Sequence, residues 1–208
     1  MNYSATSETT ENRLIETAIR LFAHHGFHGT SIRRITREAG ANLGAVTYHF
    51  GGKRELYEQA LVACIGPLAA RLGGVAAGGG SALGRLEEAL GVFVDYLAER
   101  PELPQLMLQE TVAGRRPPAA ALALLQGVLG ALAGVIREGQ AAGEIRAGDP
   151  RLLAVSVVSQ PLHLTMTTRV FEGLEPGDAE TRARLLEHAR AFIRHGLEPT
   201  QSAEEEER

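Results

Sequence analysis

The residues best suited to chemistry lie in one run, Thr30 to Leu56, which reads Thr-Ser-Ile-Arg-Arg-Ile-Thr-Arg-Glu-Ala-Gly-Ala-Asn-Leu-Gly-Ala-Val-Thr-Tyr-His-Phe-Gly-Gly-Lys-Arg-Glu-Leu. Its arginines and lysine can meet a polyanion, and its small residues can come close to a surface. Leu43, Gly44, Ala45, Thr47 and Tyr48 fall on the helix faces left free when Val46 and Phe50 turn inward at i and i+4. A helix that lies in a major groove needs such short side chains, with a few hydroxyl or apolar groups to meet base edges and thymine methyls. Gly44 would weaken an ordinary helix interior, and close approach of the backbone to a partner gives it a purpose.

Charge supports a polyanionic partner for this run alone. The formal net charge of the chain is −4, yet Arg20, Arg33, Arg34, Arg37, Lys53 and Arg54 face a single acid, Glu38, between residues 20 and 54. A basic head on an acidic body is the charge layout of a DNA-binding protein. Lys53 is the only lysine in the chain.

Other groups invite weaker chemical readings. His24, His25 and His28 stand at a helix end, where imidazoles interact with the last carbonyls, and no Cys or carboxylate lies at a useful spacing, so no metal is expected. Ser156, Gln160, His163 and Thr167 recur at i, i+4, i+7 and i+11 as a polar stripe on a mostly apolar helix, with Pro161 inside it. Such groups need partners, either across a subunit interface or from a bound small molecule. Met107 and Gln109 are weaker cavity candidates. No serine elbow, paired-carboxylate frame, phosphate loop or metal-spaced cluster is present, so no catalytic site and no cofactor are expected. Cys64 stands alone among apolar neighbours and reads as a buried hydrophobe.

The elements that must position these groups are all helical. Hydrophobic residues make up 44% of the 208, mostly Ala, Leu and Val without strand-like alternation, so an all-α protein follows. Leu14, Ala18, Leu21 and Phe22 mark a first helix ending at Gly26, after a loose arm. Thr30 can cap a second helix, with Ile32, Ile35 and Ala39 on one face and Gly40 as its stop. Asn42 can cap the third. A fourth begins near Lys53, with Gly52 at its cap, and runs toward Gly73, kinked or divided at Pro67. A glycine-rich loop, 73–80, leads to a helix from about Ser81 to Glu99. Shorter and longer helices follow at about Leu103–Val112 and up to about Ala142, separated by Arg115-Arg116-Pro117-Pro118. Asp149-Pro150 opens a helix reaching about Phe171, expected to be buried on two sides. The last, about Asp178 to His195, carries Leu185, Leu186, Ala189, Phe192 and Ile193. Residues 204–207, all Glu, read as a disordered tail. The N-terminus does not read as a signal peptide, and Ala119–Ile136, rich in Ala and Gly, reads as a core helix instead of a membrane span, so a cytoplasmic protein is expected.

The first fifty or so residues resemble the DNA-binding head of the tetracycline-repressor-like (TetR) family of bacterial transcription regulators. The resemblance rests on Ala18 to Phe22 with Gly26-Phe27, on Thr30-Ser31-Ile32-Arg33, on Ala39-Gly40, on Tyr48-His49-Phe50 and on Lys53 to Leu56. Many members carry an aromatic residue where this chain has Thr47; here the aromatic is Tyr48. The resemblance implies a three-helix helix-turn-helix head, residues 1–52, a helical effector-binding and dimerisation body, 53–199, and a tail, 200–208. It implies a homodimer, joined through the last two helices, that represses by placing two recognition helices on a near-palindromic operator in double-stranded DNA and responds to an unknown small-molecule effector. By position it implies phosphate contacts for Thr30, Ser31, Tyr48 and Lys53, and base contacts for Arg33, Leu43, Gly44, Ala45 and Thr47. Met107, Gln160, His163 and Thr167 are left as effector or dimer-interface residues. The rival readings are a helical ligand-binding or adaptor protein without DNA affinity and, less compatible with the residues, an enzyme.

Overall fold

The computed structural model describes residues 9–112, 114, 116–167, 174 and 178–199. The expected arm before Thr9, residues 168–171 of the expected helix end, Arg115 of the double-arginine turn and the acidic tail lie outside the described residues. The described residues contain α1 (Thr10–Gly29), α2 (Ile32–Glu38), α3 (Ala45–Phe50), α4 (Lys53–Ala76), α5 (Ala82–Glu99), α6 (Glu102–Val112), α7 (Ala119–Ala141), α8 (Pro150–Thr167) and α9 (Ala179–Leu197), with no strand. The all-α expectation therefore holds.

Local chemistry sets most boundaries. Thr9, Ser31, Ser81 and Asp178 each accept a hydrogen bond from the amide three residues ahead and so start α1, α2, α5 and α9. Ser31, not Thr30, is the cap of α2. The third helix starts later than Asn42: Gly44 holds the N-cap position without a side-chain cap, and the Asn42 carbonyl accepts from Ala45 N–H in the preceding turn. Gly40, at φ 62°, supplies the left-handed residue between α2 and α3. At Gly26, with φ 70° and ψ 171°, α1 breaks as expected but adds one further turn to Gly29.

Two expectations about α4 change. It runs undivided through Pro67, and it takes up Gly73 and Gly74, so the glycine-rich loop shrinks to residues 77–81. By length and composition both α4 and α7 could cross a bilayer. Each nevertheless supplies core residues, including Leu56, Leu61 and Ile65 from α4 and Leu132, Val135 and Ile136 from α7.

The chain forms two compact units, one of Met1–Pro67 with Pro101–Leu124 and one of Leu68–Arg100 with Leu125–Arg208. In the first, α1 packs on α6 and α2, and α2 on α3, around Leu14, Ala18, Phe22, Ile35, Val46 and Leu106. This unit reaches past a boundary at residue 52, because α1 packs on α6 and Tyr57 of early α4 bonds to Glu110 of α6. In the second, α5 packs on α8 and α9, and α8 on α9. Arg182–Asp95, at 3.6 Å, and Arg194–Glu87 pair α9 with α5, while Gly139 lets α7 approach Ala82 and Ile145 closely.

The two-sided burial expected of α8 is not observed. Leu153, Ala154, Val157 and Pro161 are buried, whereas Leu152 and Val155 are exposed. On α9 the expected stripe divides in the same way, with Ala189 and Ile193 inside and Phe192 at 60% exposure.

Candidate nucleic-acid interface

The geometry of α2 and α3 follows from which residues their cores consume. Ile35, Thr36, Ala39 and Val46 are buried, and this fixes the opposite faces outward. Ser31, Arg33, Leu43, Gly44, Thr47 and Tyr48 are exposed, with Tyr48 at 85%. Ala45 is half-buried. These residues therefore share the accessible side of one helix pair, as their spacing requires.

Beside α3 runs an open groove of about 730 Å³ lined by Thr36, Arg37, Asn42, Ala45, Tyr48 and His49, among others. Arg37, Asn42 and His49 are not among the contact residues expected from the sequence, where they enter only as part of the basic window, as a helix cap and within the Tyr-His-Phe motif. Periodicity could have shown that they share a face with Tyr48. Among the described residues Arg33 and Arg37 have no acidic partner at ion-pair distance. Arg34 is held by Glu38 at 2.9 Å, and this hydrogen bond sets the Glu38 carboxyl below its usual range. Two of the three α2 arginines are thus available to an external anion.

Gly44 has an ordinary right-handed backbone, φ −73° and ψ −13°, and no atom lies within 4 Å of where a Cβ would stand. Nothing inside the chain requires glycine there. The space beside Gly44 leaves its backbone accessible on the exposed face.

Thr30 is corrected as a phosphate contact. The residue is 1% exposed, and its hydroxyl donates to the carbonyls of Leu21, at 3.1 Å, and Gly26, at 2.9 Å. The Gly26 carbonyl belongs to the break itself, and the Leu21 carbonyl lies one turn before it. The Thr30 side chain therefore ties α1 to α2 instead of facing a ligand.

Lys53 opens α4 with its Nζ 4.4 Å from the centre of the Phe27 ring. Partial burial against that ring pushes its pKa down. Phe27 in turn packs on Phe22 and Tyr57, with ring centroids 6.0 and 5.2 Å away. The lysine is held in place by an aromatic cluster that the sequence read only as far as Phe27 packing into the head.

Polar contacts from α6 complete this cluster. Gln109 donates to the Ala23 carbonyl at 2.6 Å, satisfying another acceptor near the Gly26 break, so it is a cap for α1 as well as a lining residue of a surface cleft. Tyr57 donates to a carboxylate oxygen of Glu110 at 2.6 Å. Sequence could not pair residues 53 positions apart, and the adjacent Gln-Glu in an otherwise apolar helix was the available signal.

The remaining candidates separate. Met107 is in the first unit, whereas Gln160, His163 and Thr167 are in the second. The polar stripe on α8 needs fewer partners than expected, because Ser156 donates to Leu152 O and Thr167 to His163 O, their own helix carbonyls. His163 is exposed, and among the described residues the buried Gln160 Oε1 has no partner. Thr167 lines a cleft of about 550 Å³ with Leu164, Leu185 and His188.

Residues 14–60 match the family model described as "Bacterial regulatory proteins, tetR family". The HTH-type transcriptional repressor AcnR of Corynebacterium glutamicum is 37% identical over 59 residues, 27% of this chain and 31% of that protein. The alignments with the curated relatives span only about a quarter to a half of those proteins' own length. Over nearly the whole chain the fold is similar to PfmR, a TetR-family regulator of Thermus thermophilus, with a TM-score of 0.72 and 24% identity over 94% of this chain and 99% of the other. It is also similar to FadR of Bacillus subtilis solved with stearoyl-CoA, with a TM-score of 0.70 and 19% identity over 88% and 97%. Residues 14–60 thus match the DNA-binding head of the TetR family of bacterial regulatory proteins, and the helical fold of the chain is similar to that of TetR-family regulators.

Proposed function

We propose that this protein is a cytoplasmic, effector-responsive transcriptional repressor that acts as a homodimer, each α3 entering a major groove of a near-palindromic operator. The observation that carries this reading is the exposed face of α2 and α3. It combines small residues, the hydroxyls of Ser31, Thr47 and Tyr48, and the available Arg33 and Arg37 beside a groove open to solvent. Ser31, Tyr48 and Lys53 serve the phosphates, and Arg33, Leu43, Gly44, Ala45 and Thr47 serve the bases. Leu43, Gly44 and Ala45 bring no hydrogen-bonding side chain, so methyl contacts and DNA shape carry much of the discrimination.

Homodimerisation has its own support in Leu152 and Val155 of α8 and Phe192 of α9, which are large apolar residues left at 67%, 43% and 60% exposure. The polar His163 shares the exposed side of α8. An effector that binds one dimer geometry better than another shifts the spacing of the two heads, and the shift reaches DNA through α4, which begins at Lys53.

The test is fluorescence anisotropy of the purified protein with duplex DNA from upstream of its own gene, at about 50 and about 200 mM salt. Specific, salt-sensitive binding is expected. Lys53→Ala weakens it across sequences and reduces the magnitude of the salt slope by about 1 per phosphate that is no longer neutralised. Binding no tighter than to a scrambled duplex, at both salts and for every upstream fragment, refutes the reading.

A further inference from the structure

A cleft of about 340 Å³ in the first unit is lined by Phe27, Tyr57, Glu58, Glu110, Pro117 and Pro118 among others, a volume suited to a small organic molecule. Its walls are two aromatic rings and two prolines, with Arg54, Glu58 and Arg116 also in the lining and one buried charged residue, Glu110. That residue is 8% exposed, and one carboxylate oxygen accepts from Tyr57 Oη at 2.6 Å. Among the described residues the other oxygen has no hydrogen-bond partner, and no basic side chain pairs with the group.

That second oxygen is not sealed from the cleft and can accept from a bound donor. A structural role would be met equally by glutamine, which also accepts from Tyr57. Two arginines reach the cleft and do not neutralise it: Arg54 lies 3.7 Å from Glu58 with its side chain 81% exposed, and Arg116 is exposed. The buried end of the cleft is thus negative and aromatic, and its exposed end carries Arg116 and the Arg54–Glu58 pair.

We propose that this cleft binds a small amphipathic organic cation, an alkyl- or arylammonium, with the ammonium on Glu110 and Glu58 and the apolar part against Phe27 and the prolines. Such a ligand supplies the missing counter-charge and donors, and its ring or chain fills the apolar walls. The site also touches the DNA side of the molecule. Phe27 lines the cleft and carries the Lys53 ammonium, so a second cation at this ring disfavours the present Lys53 position. Occupancy therefore weakens phosphate binding at Lys53; this step alone rests on the repressor reading above.

The test uses calorimetry of the full-length protein with 2-phenylethylammonium, 2-phenylethanol and 3-phenylpropanoate as cationic, neutral and anionic probes. The ammonium binds, the alcohol binds at least about tenfold more weakly, and the carboxylate does not bind. Glu110→Gln reduces ammonium affinity at least about tenfold yet leaves the free protein folded, because it keeps an acceptor for Tyr57. Glu58→Gln gives a smaller loss and leaves the fold intact. No measurable binding of any probe, equal binding of all three, tightest binding of the anion, or unchanged ammonium affinity in a folded Glu110→Gln protein overturns the proposal.

A parallel anisotropy titration with saturating ammonium shows a drop in operator affinity of about fivefold or more. Ammonium binding with unchanged operator affinity removes the coupling and leaves the site. Absence of operator binding by the free protein refutes the repressor reading, while the calorimetry still decides the cleft.

Discussion

Substituting Thr30→Val tests whether the head is read correctly, because the expected effect on folding and the expected effect on DNA have opposite sizes. Valine has nearly the same shape, and the local backbone, φ −103° and ψ 129°, is one that β-branched residues adopt without strain. The substitution therefore removes one bifurcated hydrogen bond, shared between Leu21 O and Gly26 O, and creates no cavity. A neutral bond contributes about 0.5–1.5 kcal/mol, and an under-satisfied carbonyl is tolerated better than an orphaned amide, so the loss is about 0.5–1.5 kcal/mol. With a urea m-value of about 2 kcal/mol/M for the cooperative unit, the midpoint falls by about 0.25–0.75 M. Urea unfolding followed by circular dichroism measures this. Operator affinity, titrated where the variant is folded, changes by no more than about twofold, because the hydroxyl faces Leu21 and Gly26. A loss of about tenfold in affinity with an unchanged midpoint would refute the reasoning and place the hydroxyl on a phosphate.

Gly44→Ala has the reverse profile. The free protein has room for the methyl group and stability changes by less than about 1 kcal/mol, yet operator affinity falls by about tenfold or more, since the added atom stands where the backbone approaches the groove. Equal affinity of the two proteins in anisotropy titrations would show that Gly44 does not approach DNA. For Asp178 the sign follows from its cap bond: the Thr181 amide, donating at 2.9 Å, holds the folded carboxyl below its ordinary value of 3.8. A depressed folded pKa contributes stability above the unfolded value and loses it as pH falls through the folded one. Asp178→Asn, which keeps an acceptor at the cap, therefore flattens the decline in melting temperature below pH about 4. An unchanged acid limb would mean that Asp178 titrates alike folded and unfolded.

What the sequence revealed divides along the range of the interactions involved. Caps, glycine stops and periodicity act within four residues, so the helix order and the exposed α2–α3 face could be read from the chain. Register errors came from choices between adjacent groups. Thr30 and Ser31 are equally good caps on paper, and only the Gly26 break, which leaves carbonyls in need of a donor, draws the Thr30 hydroxyl inward. Asn42 lost the cap of α3 to Gly44 because the turn from Gly40 continues for two residues longer than the shortest arrangement. On α8, apolar residues on several faces suggested two-sided burial, but hydrophobicity does not distinguish a face covered by the same chain from one left for another subunit. Half of the polar stripe has local partners that its spacing does not reveal: Ser156 and Thr167 satisfy their hydroxyls on their own helix.

The Gly26 break explains why the two polar residues of α6 stand where they do. A helix that ends at a left-handed glycine leaves its last carbonyls without partners, and a buried helix end needs donors from elsewhere. Thr30 supplies one from the chain that follows, and Gln109 supplies another from α6 at Ala23. The break also turns Phe27 toward Phe22 and Tyr57, and Tyr57 reaches back to Glu110, the neighbour of Gln109. The same two α6 residues thus hold the end of α1 and the ring cluster under Lys53. A neutral pair could have done both tasks by hydrogen bonding alone. The charge on Glu110 adds nothing to either, and this surplus, set beside a cleft, is the feature of the head that folding does not account for.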